Sequence, residues 1–283
     1  MAPNESSTVL AAPQWLQDHL YDPGLRLVEV DVSPKSYDEW HIENATLWNI
    51  YRDLKDADYR LIDKPGIQQL LERSGITPDT TVVFYGYGPA IGFWLTKLYG
   101  HTDARILDCD KDAWRRDGRP CSTAAPAPAA TQYPLPDEDG RIRAQRLKVE
   151  AAIGSAGCTL LDVRSMPEFA GERFWPSGGQ EPGGRAGHIP SAINVSMNGL
   201  YDESGAFRPP AELRERFAAV GLSASTELIT YCTIGARACT AWFVLTYLLD
   251  RPRVRVYDGS WAEWGRIPST PVERWPSRSL PAG

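Results

Sequence analysis

The second half of the 283-residue chain repeats the pattern of apolar runs found in the first half. Leu27-Val-Glu-Val-Asp31 corresponds to Leu160-Leu-Asp-Val-Arg164, and Thr81-Val-Val-Phe-Tyr85 corresponds to Glu227-Leu-Ile-Thr-Tyr231. Short apolar runs of this kind form buried strands, and helical stretches alternate with them along the chain. Because alternating strands and helices form parallel sheets, we predict an α/β fold with helices on both faces of each sheet. The repeat predicts two such domains in tandem.

A proline-rich stretch at residues 118–145 separates the two repeats. Its prolines, which flank an alanine-rich run, are Pro120, Pro126, Pro128, Pro134 and Pro136. Proline favours an extended backbone, so we predict a stiff linker that crosses the surface and does not build a core. The predicted domains are then residues 1–117 and residues 146–283. Residues 1–11, at the start of the first domain, are predicted to be disordered.

The stretch at 227–249 carries the strongest chemical signal. It predicts a strand that ends at Tyr231, a tight loop that begins with Cys232, and an apolar helix at 236–249. The loop N–H groups and the start of the helix favour an anion, so the sequence predicts a thiolate at Cys232. The loop amides that we expect around its sulfur belong to Thr233, Ile234, Gly235, Ala236 and Arg237. The alternative is a buried cysteine with a structural role.

The length of the loop restricts what the cysteine can hold. Four residues separate Cys232 from Arg237, one fewer than a loop that surrounds a phosphate group requires. A loop of this size is better suited to one additional sulfur on the cysteine. Gly235 allows the backbone to turn, and Arg237 adds a positive charge at the start of the helix. The first repeat has Gly86 where the second has Cys232, so we predict that the first domain lacks a nucleophile and covers the loop of the second.

Composition argues against several classes of function. The net charge of −6 disfavours a surface for nucleic acids or anionic membranes. No apolar run approaches the roughly 18 residues of a membrane span, and the N-terminal residues lack the basic and apolar segments of a signal peptide. Five cysteines without framework spacing indicate free thiols in a reducing cytoplasm. The spacing of cysteines and histidines predicts no metal site.

Three motifs in the chain form a specific set. They are the Tyr231–Arg237 loop, Leu161-Asp-Val-Arg-Ser165 with Gly187-His-Ile-Pro-Ser-Ala-Ile-Asn194, and Tyr257-Asp-Gly-Ser-Trp-Ala-Glu-Trp-Gly265. With these motifs the chain resembles the two-domain rhodaneses, the family of thiosulfate and 3-mercaptopyruvate sulfurtransferases. The resemblance implies tandem rhodanese-like domains, an inactive one at 1–117 and a catalytic one at 146–283. It implies no cofactor.

The resemblance implies sulfur transfer through Cys232. The thiolate takes the outer sulfur of thiosulfate, or the sulfur of 3-mercaptopyruvate, as a persulfide and passes it to an acceptor such as cyanide or a thiol. The alternative is a sulfur-relay protein, which delivers persulfide sulfur to a partner protein in a thiolation pathway. A phosphatase of the related cell-cycle type is a third hypothesis, which the loop spacing disfavours.

The resemblance also implies cations that bind the anionic donor. We expect Arg173, Arg185 and Arg237 to bind substrate, the first two from a Gly- and Pro-rich loop over the site at 171–187. For Arg173 and Arg185 the alternative is a solvated surface position. Thr233 stands where close thiosulfate-using relatives often carry a basic residue. The missing charge leaves open the choice between thiosulfate and 3-mercaptopyruvate.

Other polar residues in the motifs have structural interpretations. We expect Asp162 and Arg164 to form an ion pair at a strand end, and His188 to brace a turn. Cys239 is interpreted as a small buried residue of the helix, with a redox partner or a second sulfur acceptor as the alternative. Because the repeat already forms an internal pseudo-dimer, we expect a monomer whose partners are a small-molecule donor and acceptor.

Overall fold

The computed structural model describes residues 9–219 and 226–274. The strands are β1 (Leu10–Ala11), β2 (Leu25–Asp31), β3 (His41–Ile42), β4 (Ala45–Asn49), β5 (Thr81–Tyr85), β6 (Ala104–Leu107), β7 (Cys121–Ser122), β8 (Cys158–Asp162), β9 (Ile193–Asn194), β10 (Glu227–Tyr231) and β11 (Val254–Val256). The α-helices are α1 (Pro13–His19), α2 (Lys35–Glu39), α3 (Lys64–Arg73), α4 (Pro89–Leu98), α5 (Lys111–Arg116), α6 (Arg146–Ala152), α7 (Met166–Ala170), α8 (Pro210–Ala218), α9 (Ala236–Phe243) and α10 (Ser260–Trp264). Two π-helical turns occupy Ile50–Leu54 and Val244–Leu248.

Each repeat forms its own parallel sheet. The first sheet has the strand order β1-β6-β5-β2-β4, and the second has the order β11-β10-β8-β9. Every pair of neighbours in both sheets is parallel. A small antiparallel pair, β3 with β7, lies beside the first sheet. The predicted fold class, tandem α/β domains with parallel sheets flanked by helices, is confirmed.

The two domains repeat one another down to single hydrogen bonds. The Tyr85 hydroxyl accepts a hydrogen bond from the Ile42 N–H at 3.0 Å, and the Tyr231 hydroxyl accepts one from the Ile189 N–H at 3.1 Å. Each tyrosine ends an inner strand of its sheet, and each isoleucine follows the histidine of the repeated motif. The bond therefore ties the strand end to that motif in both domains, and in the second domain it fixes the residue that precedes Cys232.

The proline-rich stretch contributes more to the fold than its composition predicts. Tyr133 and Leu135 are 3% and 8% exposed and belong to the main hydrophobic core. The Tyr133 hydroxyl lies 2.9 Å from Nδ1 of the buried His101, and the Ala144 N–H donates to the Val256 carbonyl oxygen at 2.8 Å. The prediction that this stretch builds no core is wrong, because isolated apolar side chains between prolines fill gaps between elements distant in sequence.

Two local predictions are also corrected. Leu10–Ala11 forms β1 and pairs with β6 in parallel, so this part of the predicted disordered segment is ordered; residues 1–8 lie outside the described residues. The apolar helix predicted at 236–249 divides into α9 and the π-helical turn Val244–Leu248. The sequence predicted one α-helix because a π-helical turn of five residues is too short to show a periodicity of its own.

The two domains pack through α4 and α9. Phe93 of α4 is fully buried, and its ring centroid lies 4.9 Å from that of Phe243 and 5.1 Å from that of Tyr247, with the ring planes nearly perpendicular. Edge-to-face contacts of this kind stabilise aromatic clusters beyond the area that they bury. The domains therefore share one core, which sets where the first domain lies relative to Cys232.

Replacement of Phe93 by alanine tests this shared core. We expect Phe93→Ala to lower the free energy of unfolding by about 3–5 kcal/mol, because the variant loses a buried ring and leaves a cavity between the domains. Urea unfolding followed by tryptophan fluorescence and by circular dichroism measures the change. Phe93→Leu, which retains most of the apolar volume, is the control and should lose much less. A loss below about 1 kcal/mol in Phe93→Ala contradicts a packed interface at this residue.

Candidate active site

The loop that follows β10, here called the Cys232 loop (residues 232–237), depends on one glycine. Gly235 has a φ of 94°, in the left-handed region that favours glycine, and α9 begins at the next residue. A Cβ at Gly235 would lie 2.8 Å from the carbonyl oxygen of Asp258. A larger residue is therefore excluded both by the backbone angle and by the close approach of another chain segment.

The Cys232 sulfur lies at the inner side of this loop, and the residue is 1% exposed. Its Sγ accepts a hydrogen bond from the Gly235 N–H at 3.1 Å. The Cys232 N–H donates to Ser260 Oγ at 3.1 Å, and the Trp261 N–H donates to the Cys232 carbonyl oxygen at 2.9 Å. A backbone N–H directed at a sulfur favours its anionic form. The start of α10 thus holds the backbone of Cys232 while Gly235 faces its sulfur.

Five loop amides were expected around the sulfur. In the described part of the chain, Gly235 is the one whose N–H is within hydrogen-bonding geometry of Sγ. It stays a prediction that the other four N–H groups donate hydrogen bonds to a sulfur atom added to the cysteine. These groups belong to Thr233, Ile234, Ala236 and Arg237.

A buried carboxylate that the sequence analysis missed binds Arg237. Glu168 of α7 is 1% exposed. Its Oε1 accepts hydrogen bonds from Arg237 Nη2 at 2.8 Å and from Thr233 Oγ1 at 2.7 Å, and its Oε2 accepts one from Arg237 Nη1 at 2.9 Å. The available signal was the capping box of Ser165 and Glu168 at the start of α7. That signal predicts a helix start but not the loop that the carboxylate meets.

The Glu168 carboxylate is ionised at neutral pH. Burial by itself raises the pKa of Glu168, but the hydrogen bonds and charge of Arg237, with hydrogen bonds from Ser165 and Thr233, lower it to about 2. The guanidinium of Arg237 and this carboxylate therefore form a pair with no net charge. The charge of Arg237 is thus compensated within the protein, and substrate binding by Arg237 stays a prediction.

A cavity of about 200 Å³ opens above the Cys232 loop. The first domain contributes Val32, Tyr51 and Tyr87; the second contributes Trp175, Pro176, Ser177, Cys232, Thr233, Ile234, Ala236 and Arg237. The first domain therefore lies over the loop, and residues 175–177 of the predicted 171–187 loop line the cavity. Aromatic rings make up much of its wall, and Arg237 is the charged residue in the lining.

The structure does not bring the other two predicted arginines into this cavity. Arg185 donates hydrogen bonds to the carbonyl oxygens of Thr270 and Ile267 and to the Thr270 hydroxyl, so its guanidinium holds the segment after α10 in place. Arg173 donates to Ser165 Oγ at 3.2 Å, which places it beside the Glu168 cluster but outside the cavity lining. Neither arginine lines the cavity, and substrate binding by Arg173 and Arg185 stays a prediction.

The remaining motif residues have the structural contacts that were expected. Arg164 and Asp162 are both fully buried and form an ion pair with an N···O distance of 2.6 Å. His188 Nδ1 lies 2.7 Å from the Phe169 carbonyl oxygen, and its ring stacks on that of Phe169. Cys239 is fully buried and is a free thiol, and burial raises its pKa well above the usual range.

Comparison with known proteins identifies the family. The family model described as "Rhodanese-like domain" matches residues 12–117 and 146–266. The chain therefore belongs to the rhodanese-like family, and the resemblance predicted from its motifs is confirmed.

Individual relatives match over nearly the whole chain. A protein of Saccharopolyspora erythraea, named as a candidate thiosulfate sulfurtransferase, is 39% identical over 271 residues, which cover 94% of this chain and 96% of the relative. "Sulfur carrier protein TtuD" of Thermus thermophilus is 38% identical over 279 residues, with the same coverage of both chains. An anaerobic ergothioneine biosynthesis enzyme from Chlorobium limicola, solved with trimethyl histidine, has a similar fold, with a TM-score of 0.82 at 24% identity; the match covers 97% of this chain and 72% of the enzyme.

Within residues 9–219 and 226–274, none of the helices combines the length and the apolar composition needed to cross a membrane. None of their groups of histidine, cysteine, aspartate and glutamate is arranged to hold a metal ion.

The pairing of Glu168 with Arg237 predicts a specific loss of stability in acid. The folded-state pKa of about 2 lies below the ordinary value of 4.5, so the carboxylate stabilises the fold above pH 4.5 and this contribution is lost as the pH falls toward 2. We expect the difference in unfolding free energy between the native chain and Glu168→Gln to shrink by about 2 kcal/mol between pH 6 and pH 3. Urea unfolding at each pH measures it, and a difference independent of pH contradicts the pairing.

Proposed function

We propose that the chain is a sulfurtransferase that carries the transferred sulfur as a persulfide on Cys232. The observation that carries the proposal is the Cys232 sulfur below a cavity, with the Gly235 N–H donating to it at 3.1 Å. The family match and the names of the relatives support the same chemistry. Its five free cysteines fit a reducing cytoplasm, and the internal repeat fits a monomer.

The reaction divides into two displacements on sulfur. The Cys232 thiolate attacks the outer sulfur of thiosulfate; a bond forms between the two sulfurs, the original S–S bond breaks, and sulfite leaves with its electron pair. A nucleophilic acceptor, cyanide or a thiolate, then attacks the outer sulfur of the persulfide. The S–S bond to the protein breaks, and its electron pair restores the Cys232 thiolate. The predicted loop amides stabilise the negative charge on the outer sulfur between these steps.

The choice of donor depends on the charge of the cavity. Thiosulfate is a dianion at neutral pH, whereas the carboxylate of 3-mercaptopyruvate carries a single charge. Because Glu168 compensates Arg237 and Thr233 is neutral, the cavity attracts a dianion less than an unpaired arginine would. We propose thiosulfate or 3-mercaptopyruvate as the donor, with a higher KM for thiosulfate than a cavity with a free cation would give.

A sulfur-relay role is the second candidate, and one feature of the cavity favours it. Tyr51 and Tyr87 are 43% and 55% exposed, and together with Trp175 they give the cavity an aromatic opening that can contact a partner protein. One relative is named a sulfur carrier protein. In this role Cys232 holds the persulfide and delivers it to a protein acceptor, with slow turnover of small acceptors.

Intact-mass spectrometry tests the persulfide directly. After separate exposure to thiosulfate and to 3-mercaptopyruvate, we expect the native chain to gain one sulfur, about 32 Da, because Cys232 keeps the transferred sulfur as a persulfide. Sulfite leaves from thiosulfate; from 3-mercaptopyruvate the C–S bond breaks and pyruvate leaves, as its enolate, with the electron pair. Cys232→Ser is the matched control and should gain nothing. The donor that loads the protein at the lower concentration is the preferred one. If neither donor adds sulfur, small-molecule sulfur transfer is excluded as the main activity; loading by a protein donor would then support the relay role.

The role of Glu168 in donor choice can be tested with Glu168→Gln. The neutral amide leaves the charge of Arg237 uncompensated, so we expect the KM for thiosulfate to fall roughly tenfold and that for 3-mercaptopyruvate to fall less. Steady-state assays with cyanide as acceptor measure both values. Glu227→Gln is the control, because Glu227 pairs with Lys148 at the opposite end of β10. An unchanged or higher KM for thiosulfate in a folded Glu168→Gln protein contradicts this role.

A further inference from the structure

A buried lysine of the first domain lies against the Cys232 loop. Lys55 follows the π-helical turn Ile50–Leu54 and is 5% exposed. Its Nζ donates a hydrogen bond to the Asp258 carbonyl oxygen at 2.7 Å, the same oxygen that closely approaches Gly235. A Cβ at Gly235 would lie only 3.3 Å from Nζ. The ammonium group of one domain therefore lies next to the glycine whose N–H faces the sulfur in the other.

The carboxylate of Asp258 accepts hydrogen bonds from donors other than Lys55. Its Oδ1 accepts a hydrogen bond from Arg143 Nε at 2.9 Å, and its Oδ2 accepts one from the Leu61 N–H at 2.7 Å. Arg143 also pairs with Glu138. The hydrogen bond of Lys55 goes to the backbone of Asp258, and the nearby carboxylate is the main negative charge that interacts with its ammonium.

Charged groups around Lys55, Cys232 among them, shift its pKa. Burial lowers the pKa of Lys55; negative charges on Asp258, Cys239 and Cys232 raise it, and Arg143 lowers it. The Cys239 thiol is neutral at ordinary pH because burial raises its pKa. A negative charge on Cys232 therefore favours the ammonium form of Lys55. Because electrostatic coupling is mutual, the positive charge of Lys55 also acts on a negative charge at the sulfur.

The cation on the other side of Cys232 is already compensated. Arg237 interacts electrostatically with Cys232, but Glu168 accepts two hydrogen bonds from its guanidinium. Tyr51 and Tyr87, which line the cavity with Cys232, are uncharged at neutral pH because the ordinary pKa of tyrosine is about 10. Partial burial raises their pKa further. Lys55, by contrast, donates its hydrogen bond to a backbone carbonyl oxygen and interacts electrostatically with the Asp258 carboxylate, which Arg143 shares.

We propose that Lys55 is a positioning residue for sulfur transfer: its ammonium stabilises negative charge on Cys232 and fixes the Gly235 turn through the Asp258 carbonyl. It supplies the positive charge that the neutral Thr233 does not. The domain without a nucleophile then contributes a charge to the reaction as well as a wall of the cavity. The role of Lys55 in sulfur transfer rests on the proposed function. Alkylation of Cys232, however, tests the effect of Lys55 on the sulfur without any sulfur donor.

The test compares the pH profile of Cys232 alkylation by iodoacetamide in the native chain, Lys55→Met and Lys55→Arg. Mass spectrometry of the Cys232 peptide measures the rate from pH 6 to pH 9.5. Because the thiolate is the reactive form, we expect Lys55→Met to slow alkylation roughly tenfold at pH 6.5 and to match the native rate at pH 9.5. Lys55→Arg should restore most of the rate at pH 6.5. Lys64→Met removes an exposed lysine of the same domain and should match the native profile.

Two results would overturn the proposal. An unchanged profile in Lys55→Met shows that the ammonium does not act on the sulfur. An equal reduction at every pH, without rescue by arginine, shows a purely structural role. The outcome is independent of whether thiosulfate loads the protein, so failure of this inference and failure of the proposed function are distinguishable.

A second measurement applies if Lys55→Met does not fold. NMR titration of ¹³Cε-labelled lysines in the native chain and in Cys232→Ser follows the Lys55 ammonium directly. Without the thiolate, Lys55 loses an attractive partner, so we expect it to release its proton at lower pH in Cys232→Ser than in the native chain. Equal titration in the two proteins overturns the proposal.

Discussion

The Cys232 loop depends on the contacts of one buried residue, Asp258. Its carbonyl oxygen accepts a hydrogen bond from Lys55 and packs against Gly235, and its carboxylate accepts hydrogen bonds from Leu61 and Arg143. Burial raises the pKa of Asp258, but Lys55 and Arg143 lower it below the ordinary value. A buried carboxylate is stable in a fold only when such partners surround it. Since these partners come from the first domain and the proline-rich stretch, all three segments must assemble before the loop is complete.

The charge of the site follows from where its carboxylates lie. Glu168 compensates Arg237 on the side of the cavity, whereas the hydrogen bond of Lys55 goes to a backbone oxygen behind the loop. The cavity itself is therefore nearly neutral and largely aromatic. In our proposal the positive charge that acts on the sulfur is that of Lys55, which does not line the cavity. With this distribution the proposed role of Lys55 at the sulfur is separate from the weak attraction of the cavity for a dianionic donor.

Much of the site was predictable because it is local in sequence. The strand that ends at Tyr231, the cysteine and the glycine turn follow one another within a few residues, so periodicity and turn chemistry suffice to place them. Arg185 shows the limit of this reasoning. It lies three residues before His188 in a Gly- and Pro-rich loop and was expected to bind the anionic donor, yet its guanidinium binds the carbonyl oxygens of Ile267 and Thr270. Which acceptors an arginine meets depends on segments about 80 residues away that its own neighbours do not specify.

The sequence by itself determined the two tandem α/β domains and the loop with Cys232 in the second domain where the first has Gly86, because repeats, apolar runs and short-range spacing are visible along the chain. Only the tertiary structure decided the charge of that loop. Glu168 is 69 residues from Arg237, and Lys55 is 203 residues from Asp258. Contacts at such separations arise when independently formed elements pack, and the free energy of a buried charge depends on every group that then surrounds it. The residue pattern along the chain does not specify that packing.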